Sequence, residues 1–287
     1  MFGKDLYSYF NNGVIDKTKV DEPILFKALN HAFQVVATKT PAVCRVIHGN
    51  VRQVSFSEKT FTPFYRDDDI GKPSVPCELA DLLFVVVDRS SNEMRICCLQ
   101  NKYDRNRKKH TLFSGVVADL RQLYLYKERP EFIDYGKRNS LLKDAICPSV
   151  GSYGVFYKTS SGLYDMKYYS SEVFRIPHYH VSSGRRTVYP TLGPLFLYHS
   201  SPSFGTVFEL QYSDCMNIFG EALIGMLIGT PCTISKGLTY LNDKSINDAV
   251  IGLIGDDYVS SLELNDNNQF SSFSYQTAVV IRGQRIF

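Results

Sequence analysis

Polar and apolar positions along this chain of 287 residues fall into two clear rhythms before they blur. Leu25, Ala28, Leu29, Ala32 and Phe33 recur three and four apart, the spacing of one helix face. Asp21 is placed to cap that helix, Pro23 falls in its first turn, and Pro41 sets its limit. Val51 to Phe61 reads as a strand, and the polar stretch from Tyr65 to Pro76 as a loop. Two strongly apolar runs follow, Leu82 to Val87 and Met94 to Leu99. Neither alternates, which is the pattern of strands covered on both faces in the middle of an α/β sheet. Arg89 to Glu93 supplies turn residues between them.

A second helix is expected over Val116 to Lys127, with Val116, Leu120, Leu123 and Tyr124 on one side and Pro130 beyond its end. Ser149 to Lys158 reads as another strand. The order is helix, three strands, helix, strand. From about Ser160 the pattern is harder to read, until apolar helices at Asp214 to Gly229 and Ser245 to Ile254 and a closing strand in TAVVIRGQRIF. This reading gives a core over 1–160 and a mixed α+β C-terminal extension over 161–287, either a unit of its own or packed into the same domain.

Composition narrows the picture only a little. A hydrophobic content of 44% fills a sizeable core, and a net charge of +3 is too small to identify a partner. It suits nucleic acid only where positive groups cluster. Seven cysteines without a CxxC pair point to reduced thiols and a cytoplasmic protein rather than a disulfide framework. Cys97 and Cys98 should face opposite sides of their strand. The opening MFGKDLYSYFNNG lacks the apolar core of a signal peptide. Cys215 to Gly229 is short for a bilayer and carries Glu221, so it is expected as a buried helix and no membrane is implied. His178, His180 and His199 invite a metal reading, but spacing places no third ligand, and they read as ordinary polar positions.

The chemistry sits at the ends of the two apolar runs. A hairpin whose turn is centred between Ser90 and Ser91 sets Asp81 opposite Gln100, with Lys102 two residues on and on the same face. A carboxylate beside an amide oxygen can hold a hard divalent cation such as Mg²⁺. Such an ion polarises a phosphoryl oxygen and acidifies a bound water, while a neighbouring ammonium stabilises charge building on phosphorus. The set suits phosphodiester hydrolysis.

Asp81, a hairpin, then Gln100-Asn101-Lys102 resembles the PD-(D/E)XK, or restriction-endonuclease-like, nuclease superfamily. The element order from Asp21 to Lys158 is similar to that family's core, so the resemblance covers about half the chain. It implies an α/β fold, metal binding at Asp81 and a catalytic Lys102, with Mg²⁺ or Mn²⁺ as cofactor. The family usually has an acid where Gln100 stands. That departure removes a negative charge from the metal site. Two further acids are candidates for the catalytic set: Glu22 on the first helix, and Glu78, which would join the metal ligands if the chain bends near Pro76. The basic run Arg105, Arg107, Lys108 and Lys109, with Arg121 and Gln122 on the next helix, is the candidate nucleic-acid contact. The expected activity is that of a DNA endonuclease of microbial restriction, defence or mobile-element biology. It would act on double-stranded DNA as a homodimer, since a duplex cut needs two sites. An inactive relative that binds nucleic acid or a protein partner is the alternative, and a purely structural hairpin in an unrelated α/β protein is a third reading.

Overall fold

The computed structural model describes residues 1–15, 17, 19–49, 53–57, 74–104, 115–134, 136–175, 185–191, 193–255 and 274–286. In chain order its helices are α1 (Phe2–Asn12), α2 (Glu22–Lys39), α3 (Leu120–Glu128), α4 (Met216–Ile224), α5 (Ile234–Leu241) and α6 (Lys244–Ile254). Its strands are β1 (Cys44–His48), β2 (Gln53–Ser57), β3 (Ser74–Glu78), β4 (Leu82–Asp88), β5 (Glu93–Tyr103), β6 (Val116–Asp119), β7 (Phe132–Asp134) and β8 (Lys137–Asn139). They continue as β9 (Gly151–Lys158), β10 (Tyr164–Ser170), β11 (Arg185–Val188), β12 (Phe196–Ser201), β13 (Gly205–Leu210), β14 (Tyr212–Ser213), β15 (Thr230–Thr233) and β16 (Thr277–Arg282).

The two apolar runs form the antiparallel hairpin β4–β5 at the middle of an eight-stranded mixed sheet ordered β1-β16-β4-β5-β9-β10-β14, with β15 also paired to β5. β16 lies parallel to β4, and β9 parallel to β5. All of β4 and the first nine residues of β5 are buried. Successive side chains go to opposite faces. Leu82, Phe84, Val86, Cys97 and Leu99 pack with Phe10 of α1, Phe33 of α2 and Phe219 of α4. Leu83, Val85, Val87, Ile96 and Cys98 pack with Leu123 of α3, Leu238 of α5 and Val250 of α6. Helices therefore cover both faces of the sheet, which is mixed α/β. Cys97 and Cys98 divide between the faces as expected. Because β16 sits between β1 and β4, residues from both sides of position 160 share one sheet.

Several expectations need correction. The stretch Tyr65 to Pro76 does not end as a loop: Ser74, Val75 and Pro76 belong to β3, which pairs with β2. The second helix begins later than expected, because Val116 to Asp119 form β6 against β11. Asp119 then caps α3, its Oδ1 accepting from the Arg121 N–H at 2.9 Å. β-Branched Val116 and Val117 favour the strand. Arg129, in the left-handed region at φ 50°, closes the helix before Pro130.

The apolar helix expected from Asp214 to Gly229 is the shorter α4 and belongs to the core: Met216, Phe219, Gly220, Ala222 and Leu223 are buried. α1 crosses it at Gly220, where a Cβ would lie 2.6 Å from Gly3 Cα. Glu221, inside this apolar helix, accepts from the Gly3 N–H at 2.8 Å. Among the described residues no helix is long and apolar enough to cross a membrane. Arg95 interrupts the second apolar run and is still only 2% exposed. It donates to Glu93 Oε1 at 2.8 Å and to the Phe208 carbonyl at 2.9 Å.

The core predicts its own weak point. The Phe84 ring packs between Phe33, 5.4 Å away, and Phe219, 5.6 Å away. Phe84→Ala should cost about 3–5 kcal/mol in a urea titration. A loss below about 1 kcal/mol would show that this ring does not bear on the core.

Candidate active site

Leu82 pairs with Leu99 and Asp88 with Glu93, so Asp81 stands opposite Gln100. The turn is centred between Ser90 and Ser91, as the sequence pattern requires. Gln100 and Lys102 share a face of β5 with Cys98 and Ile96, the face covered by α3. Both line a cleft of about 720 Å³ with Glu22, Glu78, Asp104, Asp119, Arg121, Gln122 and Arg185. That volume lies within the range of binding clefts.

A directed chain of hydrogen bonds fixes the polar groups. The Glu78 carbonyl can only accept, so it draws the Gln122 amide nitrogen, 3.0 Å away. The same Nε2 donates to Gln100 Oε1 at 2.6 Å. Gln100 must then turn its own Nε2 outward, and it donates to Asp81 Oδ2 at 2.6 Å. Asp81 Oδ2 also accepts from the Asn101 N–H at 2.7 Å. Burial pushes the Asp81 carboxyl up to about 6, against the downward pull of the Asn101 N–H and the Lys102 ammonium. The Gln100 side chain is 4% exposed and that of Gln122 3%.

Glu22 reaches the same cleft from the first turn of α2, on the opposite layer. Its Oε2 accepts from the Tyr103 N–H at 3.1 Å, and its Oε1 lies 3.8 Å from Lys102 Nζ. Glu78 is exposed at the end of β3 and lines the cleft. The bend that brings it there is not at Pro76, which pairs with Ser55 inside an unbroken strand. The chain changes sheets over Leu79 to Asp81, and the Tyr126 hydroxyl donates to the Leu79 carbonyl at that bend. Asp81, Glu78 and Glu22 do not draw together within 4.8 Å as a three-carboxylate set.

Gln122 was expected to touch nucleic acid; it is instead a buried brace for Gln100. Arg121 forms an ion pair with Asp119 at 3.0 Å and lines the cleft. Arg105, Arg107, Lys108 and Lys109 lie outside the described residues. Sequence reasoning missed Tyr126 and the bracing role of Gln122, both on the face of α3 opposite the sheet's end. In sequence Gly184-Arg185-Arg186 is only a weak candidate for a nucleic-acid loop; β11 carries Arg185 to the cleft wall through its pairing with Asp119.

Asp81 offers the carboxylate oxygen a hard cation takes, while Gln100 turns its amide nitrogen, not its oxygen, toward it. Mg²⁺ is held by one or two carboxylates and keeps several waters. Comparison with protein-family models, curated proteins and solved structures finds no match to this chain.

The raised Asp81 carboxyl has a stability consequence of definite sign. A carboxyl whose folded value lies above its ordinary 3.8 binds its proton more tightly when folded. Its contribution is complete below pH 3.8 and is lost as pH rises through about 6. Without metal, the wild-type protein should lose on the order of 2–3 kcal/mol from this group between about pH 4 and 7. Asp81→Asn should lack that part of the slope in urea titrations across the range. Equal slopes in the two proteins would contradict the burial of this carboxyl.

Proposed function

We propose that the chain is a metal-dependent nuclease of restriction-endonuclease-like architecture that hydrolyses phosphodiester bonds, with double-stranded DNA as substrate. The observation that carries the reading is the meeting of Asp81, Gln100 and Lys102 at one end of the central hairpin, where Gln100 and Lys102 line the cleft and Asp81 is hydrogen-bonded to Gln100. The order α2, hairpin, α3, then β9 parallel to β5 supports it, whereas the strand expected over Val51 to Phe61 lies as β2 in a separate four-stranded sheet and β16 takes the place beside β4. A cation in this proposal is Mg²⁺ or Mn²⁺, held by the Asp81 carboxylate and the Gln100 amide oxygen, with Glu78 on the rim. When bound it supplies an acidified water and polarisation of the phosphoryl group.

The protein's own residues have separable tasks. Lys102 offers a cation to the charge that grows on the phosphoryl oxygens. Glu22, held by the Tyr103 N–H, keeps that ammonium on the cleft side. Gln122 holds the Gln100 amide in its present sense, and turning the amide for a cation means giving up its bonds to both Gln122 and Asp81. Arg185 on the wall, and the run Arg105, Arg107, Lys108 and Lys109 that follows Asp104 in sequence, supply phosphate contacts. Cutting both strands calls for two such sites, so a homodimer in the cytoplasm, in restriction, defence or mobile-element biology, belongs to the same proposal.

A second reading has a specific observation behind it. Gln100 is neutral where the family has an acid, and here its amide nitrogen, not its oxygen, faces Asp81. That arrangement fits a protein that has kept the fold to bind nucleic acid or a protein and has lost cleavage.

Supercoiled plasmid with Mn²⁺ or Mg²⁺, with and without EDTA, separates the two. The leading reading predicts nicked or linear product that EDTA abolishes. It also predicts that Lys102→Ala lowers the rate at least about a hundredfold with an unchanged thermal midpoint. Cleavage by the variant at the wild-type rate would refute the mechanism. A gel shift without any cleavage of DNA or RNA would select the second reading.

A further inference from the structure

A second cluster of ligating groups lies away from the cleft, and no step proposed above uses it. Cys147, His199 and Glu209 bring their ligand atoms within 4.8 Å of one another. Spacing in the sequence could not reveal this set, because Cys147 is remote in the chain from the hairpin that carries the other two. Cys147 precedes the short 3₁₀ turn Pro148–Val150 that leads into β9. His199 and Glu209 lie on β12 and β13, where Leu197 pairs with Glu209 and His199 with Val207. They are therefore diagonal neighbours on one face of the hairpin. That face turns inward: Val207 and Glu209 are both 0% exposed, and so is Cys147. The His199 side chain is 23% exposed, which leaves the cluster one open side.

The groups behind the cluster orient it as supports behind metal ligands do. Glu209 Oε1 accepts from the Ser149 N–H at 2.6 Å, which leaves Oε2 to face His199 Nε2 at 2.7 Å. Thr230 Oγ1 accepts from the Cys147 N–H at 3.3 Å. Of the charged groups around the thiol, Arg95 is paired with Glu93, and Arg129 donates to the Ala145 carbonyl at 3.0 Å. One sulfur, one imidazole and one carboxylate form a mixed set that a thiophilic ion accepts and Mg²⁺ does not.

We infer that Cys147, His199 and Glu209 bind a thiophilic divalent cation, Zn²⁺ before others, with water or an incoming ligand at the fourth position on the His199 side. Bond lengths of about 2.0–2.3 Å place tetrahedral ligand atoms about 3.5 Å apart. The thiol then has to close in, and the His199–Glu209 hydrogen bond has to open by about 0.7 Å. Binding releases the Cys147 thiol proton to solvent and leaves the imidazole neutral, its proton on Nδ1. The ion would tie the β12–β13 hairpin to the segment ahead of β9. It would be independent of the Asp81 cleft and does not rest on the nuclease reading.

The test uses the full-length protein stripped with chelator and titrated with Co²⁺ in excess Mg²⁺, which occupies oxygen-rich sites. One equivalent should give a thiolate-to-cobalt charge-transfer band that Zn²⁺ removes, and Zn²⁺ should raise the thermal midpoint. Cys147→Ser should abolish the band, and Cys215→Ser, which alters a partly exposed thiol outside the cluster, should keep it. His199→Gln, at a partly exposed position, keeps the fold intact if Cys147→Ser does not; it should weaken Co²⁺ binding at least about tenfold. No band in the wild type, a band that survives Cys147→Ser, or unchanged affinity in His199→Gln would each overturn the site and leave a His–Glu ion pair beside an inert thiol.

Discussion

The register of the central hairpin is the constraint on which the site depends. β4 and β5 are buried on both faces, and their side chains are sorted between two helical layers. A slip of one residue would send each side chain of the slipped strand to the wrong layer. At about 25 cal/mol per Å² of apolar surface, no polar contact at the rim competes with that preference. Packing in the core therefore decides that Asp81 faces Gln100, and the polar residues take the position the core gives them.

The elements around the hairpin end complete the arrangement from two sides of the sheet. α3 contributes Gln122 and Tyr126 from one layer, and α2 contributes Glu22 from the other. Among the described residues Asp81 is the carboxylate hydrogen-bonded to Gln100, and burial raises it toward neutral pH. A bound cation would reverse that tendency by favouring the ionised form. The same desolvation that weakens Asp81 as an anion strengthens a charge interaction made there. A neutral Gln100 beside it lowers the repulsion between groups lining the cleft and also lowers the attraction for a cation. That balance is why the cleavage and binding-only readings both start from the same geometry.

What could be read in advance followed from burial on two faces and from spacing. The unbroken apolar runs gave the hairpin, the turn residues gave its register, and Asp21 with Pro23 gave the start of α2, whose cap is the Asp21 bond to the Ile24 N–H. β6 was missed because Val116 and Leu120 also fit a helical repeat; pairing with β11 decided between the two. α1 was missed because its polar residues dilute a single apolar stripe that ends in Leu6 and Phe10. The Gln122 brace and the Cys147 cluster were invisible for a different reason. Both depend on residues brought together across the fold, at separations of 22 and 60 residues for their key bonds.

The central claim is that the hairpin end is a cation site that presents a phosphodiester to Lys102. Anomalous diffraction from a crystal soaked in Mn²⁺ tests it most directly. The account predicts a peak about 2.1 Å from both an Asp81 carboxylate oxygen and the Gln100 amide oxygen, with the amide turned over from its present sense. A clear map with no peak there, and the Gln100 nitrogen still bonded to Asp81, would contradict it.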